Sequence, residues 1–131
     1  NPDEAAFVAA RLAEIRAAHP EASIGVIAPY RAQVQALEAA VGQPRGCDIA
    51  TVDSFQGQER DVIILSLTRS NPDGLIGFLS EYRRTNVAMS RARRHLLVVG
   101  DSSTVGSDPF FGWLIEEAER TGAYRSAWEF L

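Results

Sequence analysis

The sequence predicts one α/β domain with a mostly parallel sheet and helices on both faces, and three observations lead to this fold class. The chain has 131 residues, which is a usual size for a single domain. Short apolar runs rich in β-branched residues alternate with longer segments of helical periodicity. Those short runs are apolar throughout, as in strands of a parallel sheet that is covered on both faces.

The order of elements follows from the same periodicities. Strands are predicted at residues 23–28, 48–52, 61–67 and 95–100. Helices are predicted at residues 2–18, 31–41, 81–92 and 109–121. Gly42 follows the second helix as its expected C-terminal cap. Ligands of such folds meet the carboxyl ends of the strands, so we looked for polar residues beside the strand ends.

Composition excludes several classes of protein. The single cysteine, Cys47, excludes an internal disulfide framework and a multi-cysteine zinc site, and no metal site is predicted. All 13 basic residues are arginines, and the absence of lysine excludes a Walker A motif and Schiff-base chemistry. No apolar run approaches the ~20 residues of a membrane span. Without a signal peptide or an initiating Met, the chain is expected to be an excised piece of a cytoplasmic protein.

The charge is unevenly distributed. The formal net charge is −4, whereas an autonomous nucleic-acid module is usually basic. Five arginines nevertheless fall within residues 83–94: Arg83, Arg84, Arg91, Arg93 and Arg94. Such a cluster in an acidic chain favours an anionic partner. The alternative is a set of solvated arginines, two of which complement the dipole at a helix C-terminus.

Two further segments carry polar residues beside strands. Tyr30 and Arg31 follow the first strand, where a ring and a guanidinium could hold a purine and a phosphate, or simply begin an exposed helix. The second segment, residues 51–59, contains hydroxyls, a glycine and a carboxylate between two strands. It fits contacts to phosphate and ribose, but also an ordinary connection with a capped short helix.

Three strings resemble motifs of the second RecA-like domain of superfamily 1 helicases. IGVIAPYRAQV looks like motif IV, IATVDSFQGQERDVIILSLTRS like motifs V and Va, and EYRRTNVAMSRARRHLLVVGD like motif VI. Their order matches, and the resemblance covers residues 22–120 of a single domain over 1–131. The similar branch is the 5′-to-3′ one that includes the nonsense-mediated-decay helicase and senataxin. The resemblance implies a RecA-like three-layer fold.

The resemblance also implies a role for residues that match the nucleotide-binding motifs. Tyr30 would stack on the adenine. Arg31 and Arg91 would contact the γ-phosphate, with Arg91 as the arginine finger. Glu59, beside Gly57, would contact the ribose or the triphosphate.

Residues of motifs V, Va and VI are implied in binding the strand and in coupling. Thr51 and Ser54 would touch the nucleic-acid backbone, and Arg69 and Arg84 would couple the two sites. Ser90 is a departure, since many relatives have Thr there, but the hydroxyl is kept.

The implied mechanism is a split ATP site. A first RecA-like domain, which this chain does not contain, would cradle the triphosphate and hold Mg²⁺. This domain would close over ATP, and the pair would step along single-stranded DNA or RNA, which the sequence does not distinguish. Alternatives are a catalytically inactive nucleic-acid-binding or interaction module, and the helicase half of a helicase–nuclease fusion.

Overall fold

The elements of the domain alternate as the sequence predicts. The computed structural model describes residues 2–42, 46–55, 58–67, 87–100 and 109–120. In chain order it contains helix α1 (Pro2–Ala18), strand β1 (Ile24–Ile27), helix α2 (Arg31–Val41), strand β2 (Cys47–Ala50), a 3₁₀ helix (Val52–Phe55), strand β3 (Arg60–Ser66), strand β4 (Ala92–Val99) and helix α3 (Pro109–Arg120). Gly57, Arg69 and Arg84, together with most of the helix predicted at 81–92, lie outside the described residues.

The described strands form one parallel sheet in the order β2-β1-β3-β4. Ile24 of β1 pairs with Cys47 on one side and with Val62 on the other. Val62 pairs in turn with His95 of β4, and the register of β3 and β4 shifts by one residue between Arg60 and Val62. Parallel neighbours need crossover connections, and α2 supplies the one between β1 and β2. This arrangement confirms the predicted α/β class and is consistent with a RecA-like domain.

Helices cover both faces of the sheet, which confirms the three layers. On one face α1 and α2 bury Val8, Leu12 and Leu37 against β1 and β3. On the other face the 3₁₀ helix buries Phe55, and α3 packs with Leu114 against the same cluster. Burial of each such side chain contributes about 1.5–3 kcal/mol, so the two clusters hold the layers together without a disulfide. None of the described helices combines the length and the apolar character that a membrane span requires.

The C-terminal cap predicted at Gly42 is confirmed. Its φ of 80° lies in the left-handed region, which glycine adopts without the strain of a Cβ atom. Its backbone N–H donates to the carbonyl of Glu38 at 2.9 Å and so satisfies one of the last carbonyls of α2. The chain can therefore turn away directly after the helix.

Two predicted boundaries are wrong. Val52 does not end β2, because the polar residues after it favour a 3₁₀ turn, in which the N–H of Ser54 donates to the carbonyl of Thr51 at 3.1 Å. The second error is at residues 92–94, which were predicted partly as helix and are the start of β4. Arg93 and Arg94 are polar and exposed, so this part of the sequence lacks the apolar pattern that predicts a strand, although it lies beside β3.

Candidate nucleotide and nucleic-acid sites

The exit of β1 presents Tyr30 and Arg31 at the carboxyl edge of the sheet, which is the edge where the parallel strands end. Tyr30 has extended backbone angles and stands directly before α2. Its carbonyl accepts hydrogen bonds of 3.1 Å from the N–H groups of Gln33 and Val34, which begins the helix. Tyr30 is half-buried and Arg31 is exposed, so both side chains are accessible to a ligand.

Thr51 lies at the same carboxyl edge. The N–H of Ala28 donates to the carbonyl of Ala50 at 3.2 Å, so the residues that follow β1 and β2 are neighbours. Thr51 is half-buried, and Ser54 is exposed in the 3₁₀ helix that follows. The two predicted nucleic-acid contacts are therefore close in the chain to each other and begin beside Tyr30.

Glu59 and Arg91 lie at the amino edge, where the strands begin. Glu59 immediately precedes β3, and Arg91 immediately precedes β4. The N–H of Arg60 donates to the carbonyl of Arg91 at 3.0 Å, which brings the two strand entrances together. Arg91 follows a helical turn at residues 87–89, where its own N–H donates to the carbonyl of Ala88 at 3.2 Å.

The structure thus brings some predicted site residues together and separates others. The seven residues of β3 span about 20 Å between the two edges. Glu59 and Arg91 share the amino edge, whereas Tyr30 and Arg31 lie at the carboxyl edge near Thr51. Arg31 and Arg91, both predicted to contact the γ-phosphate, are not adjacent within this domain.

Within the described residues, Arg91 differs from Arg93 and Arg94 in having no acidic partner. Arg93 pairs with Asp61 at 3.3 Å, and Arg94 lies 4.0 Å from the same carboxylate. Among the described residues, no carboxylate pairs with Arg91, and its guanidinium donates only to Ser90 Oγ at 3.2 Å. Its Nε is buried and has no acceptor in that part of the chain. Arg11 and Arg16 share this feature of a buried Nε, so the observation that distinguishes Arg91 is a guanidinium with no carboxylate partner among the described residues, a group suited to bind an anion.

Asp61 organises the amino edge electrostatically. Its carboxylate accepts a 3.1 Å hydrogen bond from the N–H of Ser23, and the Ser23 hydroxyl accepts one of 2.9 Å from the N–H of Asp61. The pKa of Asp61 is lowered mainly by the Ser23 N–H and further by Arg93 and Arg94, while partial desolvation opposes the shift. A carboxylate held ionised here keeps both arginines occupied.

Two groups of residues escaped the sequence prediction. Arg60 donates to Asp48, to the carbonyl of Glu59 and to the side chain of Gln58, and its guanidinium lies 5.2 Å from the centroid of the Phe55 ring. Its position between a candidate site residue and a strand was the available signal.

The other missed group is a buried polar cluster formed by Glu4, Gln33 and Ser66. The Ser66 hydroxyl donates to Glu4 Oε2 at 2.5 Å, and Gln33 Nε2 donates to Ser66 Oγ at 3.1 Å. All three residues are buried. The available signal was a serine within the otherwise apolar β3 and a glutamate on the buried face of α1.

Metal ligation is not a feature of the described part of the chain. No group of three or more His, Cys, Asp or Glu side chains there is arranged to hold an ion. Cys47 is half-buried, and burial raises the pKa of its thiol to about 11. A thiol of that pKa stays protonated at neutral pH and is a poor ligand and nucleophile.

Several known proteins are similar in sequence to this chain. A family model described as an AAA domain matches residues 1–103. The chain is 41% identical over 133 residues to the DNA-binding protein SMUBP-2 of Rattus norvegicus, across 100% of this chain and 14% of that protein. It is 50% identical over 105 residues to the DNA polymerase alpha-associated DNA helicase A of Saccharomyces cerevisiae, across 77% of this chain and 15% of that protein. To helicase sen1 of Schizosaccharomyces pombe it is 45% identical over 101 residues, across 72% of this chain and 6% of that protein.

These matches confirm the resemblance drawn from the three motifs. The chain spans between 6% and 15% of the length of these three relatives. The family model covers more than half of the chain, including the segments that carry Tyr30, Thr51, Glu59 and Arg91. The chain therefore belongs to the AAA domain family, as a superfamily 1 helicase C-terminal domain that resembles those of the Sen1-like helicases.

Proposed function

We propose that this domain is the C-terminal motor domain of an ATP-dependent nucleic-acid helicase or translocase. It supplies Arg91 as an arginine finger to an ATP site shared with an N-terminal RecA-like domain. Two of the relatives described above are named helicases and one a DNA-binding protein. Single-stranded DNA or RNA is the proposed track.

The observation that carries the proposal is the unpaired state of Arg91. Within the described residues its guanidinium has no carboxylate partner, while Arg93 and Arg94 share Asp61. A phosphate that enters opposite Arg91 therefore displaces no internal ion pair. A guanidinium fixed in this way stabilises the charge that develops on the transferred phosphoryl group. Glu59, at the same edge, is the proposed contact to the ribose or the triphosphate.

The remaining machinery of hydrolysis is proposed to lie in the partner domain. The chain contains no lysine to reach the β- and γ-phosphates. The described residues offer no carboxylate cluster for Mg²⁺. Arg91 alone therefore contributes to the transition state but does not bind and orient MgATP, which makes this domain one half of a composite enzyme.

The carboxyl edge is the proposed contact with the strand, through Thr51 and Ser54. Tyr30 and Arg31 share this edge, so two ligands compete for them. The family resemblance assigns them to the adenine and the γ-phosphate, and their separation from Arg91 favours the strand. Gly57, Arg69 and Arg84 keep the roles that the resemblance implies, as part of the proposal.

The test is Arg91→Ala in the full-length protein, with steady-state ATP turnover measured at saturating single-stranded oligonucleotide. We expect kcat to fall about 10³-fold or more with a much smaller change in KM, because an arginine finger acts on the transition state. Arg93→Ala is the matched control: it removes an arginine from the same cluster, but one already paired with Asp61. Equal turnover of Arg91→Ala and Arg93→Ala would show that Arg91 has no such role.

A further inference from the structure

The segment between β2 and β3 is one of the connections that run from the carboxyl edge of the sheet to its amino edge. Residues 51–60 run from the end of β2 to the start of β3, with Thr51 at one end and Glu59 near the other. We infer that Arg60 is a positioning residue. It couples the binding of a nucleic-acid strand at the carboxyl edge to the position of Arg91 at the amino edge. The inference rests on the proposed function and deepens it.

The side chain of Arg60 makes contacts on several sides of its guanidinium plane. Nη1 donates to the carbonyl of Glu59 at 2.8 Å, and Nη2 donates to Gln58 Oε1 at 3.0 Å. Nε and Nη2 also donate to Asp48 Oδ2, at 3.2 and 3.1 Å. The plane lies over the Phe55 ring at 5.2 Å. Only an arginine offers five donors in one rigid plane together with a face that stacks on a ring.

Contacts of Gln58 and Phe55 continue this network toward the carboxyl edge. Gln58 Nε2 donates to the carbonyl of Ser54 at 3.3 Å, and the N–H of Gln58 donates to the carbonyl of Phe55 at 2.9 Å. The N–H of Ser54 donates in turn to the carbonyl of Thr51 at 3.1 Å. A nucleic-acid strand that binds Thr51 or Ser54 therefore contacts the same chain segment that the side chains of Gln58 and Arg60 hold in place.

In the other direction the network ends at the proposed arginine finger. The backbone N–H of Arg60 donates to the carbonyl of Arg91 at 3.0 Å, next to the pairing of Arg60 with Ala92. The start of β3 is therefore held directly beside the backbone of Arg91. Loss of the Arg60 side chain leaves that hydrogen bond in place but removes its side-chain bonds to Gln58 and to the Glu59 carbonyl. Gln58 then still bonds to Ser54, but its side chain is no longer held beside the start of β3.

Such a network couples the two sites only if both ATP and the nucleic-acid strand shift its conformational equilibrium. A substitution within the network tests this, because it changes how strongly the nucleic-acid strand stimulates ATP turnover. Interrupting a coupling network typically changes the linked activity by a factor of about 2 to 30. A residue that only supports the fold lowers basal and stimulated activity together. The ratio of ATP turnover with and without strand therefore separates coupling from support.

The experiment uses the full-length protein with oligo-dT and oligo-U as the two strand probes. For Arg60→Ala we expect the stimulation of ATP turnover by the strand to fall about tenfold. We expect strand affinity without nucleotide, and the KM for ATP without strand, to change less than about twofold. Gln58→Ala, an exposed residue on the same path, should show a smaller loss of the same kind and covers the case in which Arg60→Ala does not fold. Asp48→Asn removes the ion pair of Arg60 alone and should keep full stimulation.

Three results would overturn the inference. If Arg60→Ala and Gln58→Ala kept full stimulation, no coupling would pass through this segment. If basal and stimulated turnover fell by the same factor, the role of Arg60 would be structural. If the wild-type protein hydrolysed no ATP with either strand, the proposed function itself would fail, and the inference with it.

Discussion

The ring of Phe55 lies against the backbone of Gly25, so close that a Cβ atom at position 25 would come within 2.8 Å of the ring. Ile63 Cδ1 would be 2.9 Å from the same atom. Phe55 belongs to the segment that joins β2 to β3, and Gly25 lies in β1. The absence of a side chain at Gly25 thus lets the connecting segment pack directly on the sheet.

Gly25→Ala should therefore destabilise the domain. We expect the free energy of unfolding to fall by about 1–3 kcal/mol, because the added methyl group must displace Phe55 or Ile63 in a packed core. Chemical denaturation measures the loss. Phe55→Leu in the same background should recover part of it, since the two residues are in contact and their effects are not additive. Additive losses in the double variant would contradict the contact.

Ser66→Ala should also destabilise the domain, through Glu4. The substitution leaves the buried Glu4 carboxylate without the Ser66 hydroxyl, and we expect the free energy of unfolding to fall by about 1–3 kcal/mol. Ser90→Ala is the control, because Ser90 is exposed and should change stability by less than about 0.5 kcal/mol. Equal small effects of the two substitutions would show that the cluster contributes nothing to stability.

Asp61 should make the stability of the domain depend on pH in the acid range. Its pKa in the folded state is lowered, mainly by the Ser23 N–H, so its contribution is present above the ordinary value of 3.8 and is lost as the pH falls through the folded value. We expect Asp61→Asn to unfold more readily than the wild type at about pH 7, and the difference to be smaller at about pH 3, which lies below the ordinary value of 3.8. Denaturation midpoints at both pH values test this. A gap that is constant across that range would assign the effect to packing instead.

Arg31→Ala separates the two ligands that compete for the carboxyl edge. If Arg31 contacts the strand, as its position near Thr51 favours, strand affinity should fall and the dependence of binding on salt should become shallower by about one counterion. ATP turnover of the bound complex would then stay close to that of the wild type. Fluorescence anisotropy at two salt concentrations gives the slope. Unchanged binding of the nucleic-acid strand together with a loss of kcat would instead indicate that Arg31 contacts the γ-phosphate, as the family resemblance implies.

The sequence predicted most elements because most of its signals are local. The apolar runs gave β1 and β3, and Gly42 gave the end of α2. The start of β4 was missed because Arg93 and Arg94 are polar, and only their position beside β3 shows that they lie in a strand. Exposure on both faces at the amino end of β4 leaves no apolar pattern to detect.

The candidate site was likewise predicted only in part from the sequence. The motif strings indicated which residues to examine, but not that Arg31 and Arg91 lie at opposite edges, since that depends on the register of three strands. The sequence also did not show that Arg91 pairs with no carboxylate among the described residues, because Asp61 pairs with Arg93 and Arg94 through the fold and not through sequence spacing. The side-chain contacts of Arg60 also depend on the fold and could not be predicted from the sequence.

The shared ATP site is tested most directly by phosphate release from the purified 131-residue chain beside the full-length protein, each with and without single-stranded oligonucleotide. The account predicts no turnover by the chain alone, because it has no lysine and no Mg²⁺ cradle in its described part. It predicts strand-stimulated turnover by the full-length protein, lost in Arg91→Ala and kept in Arg93→Ala. Robust turnover by the 131-residue chain alone would contradict the account.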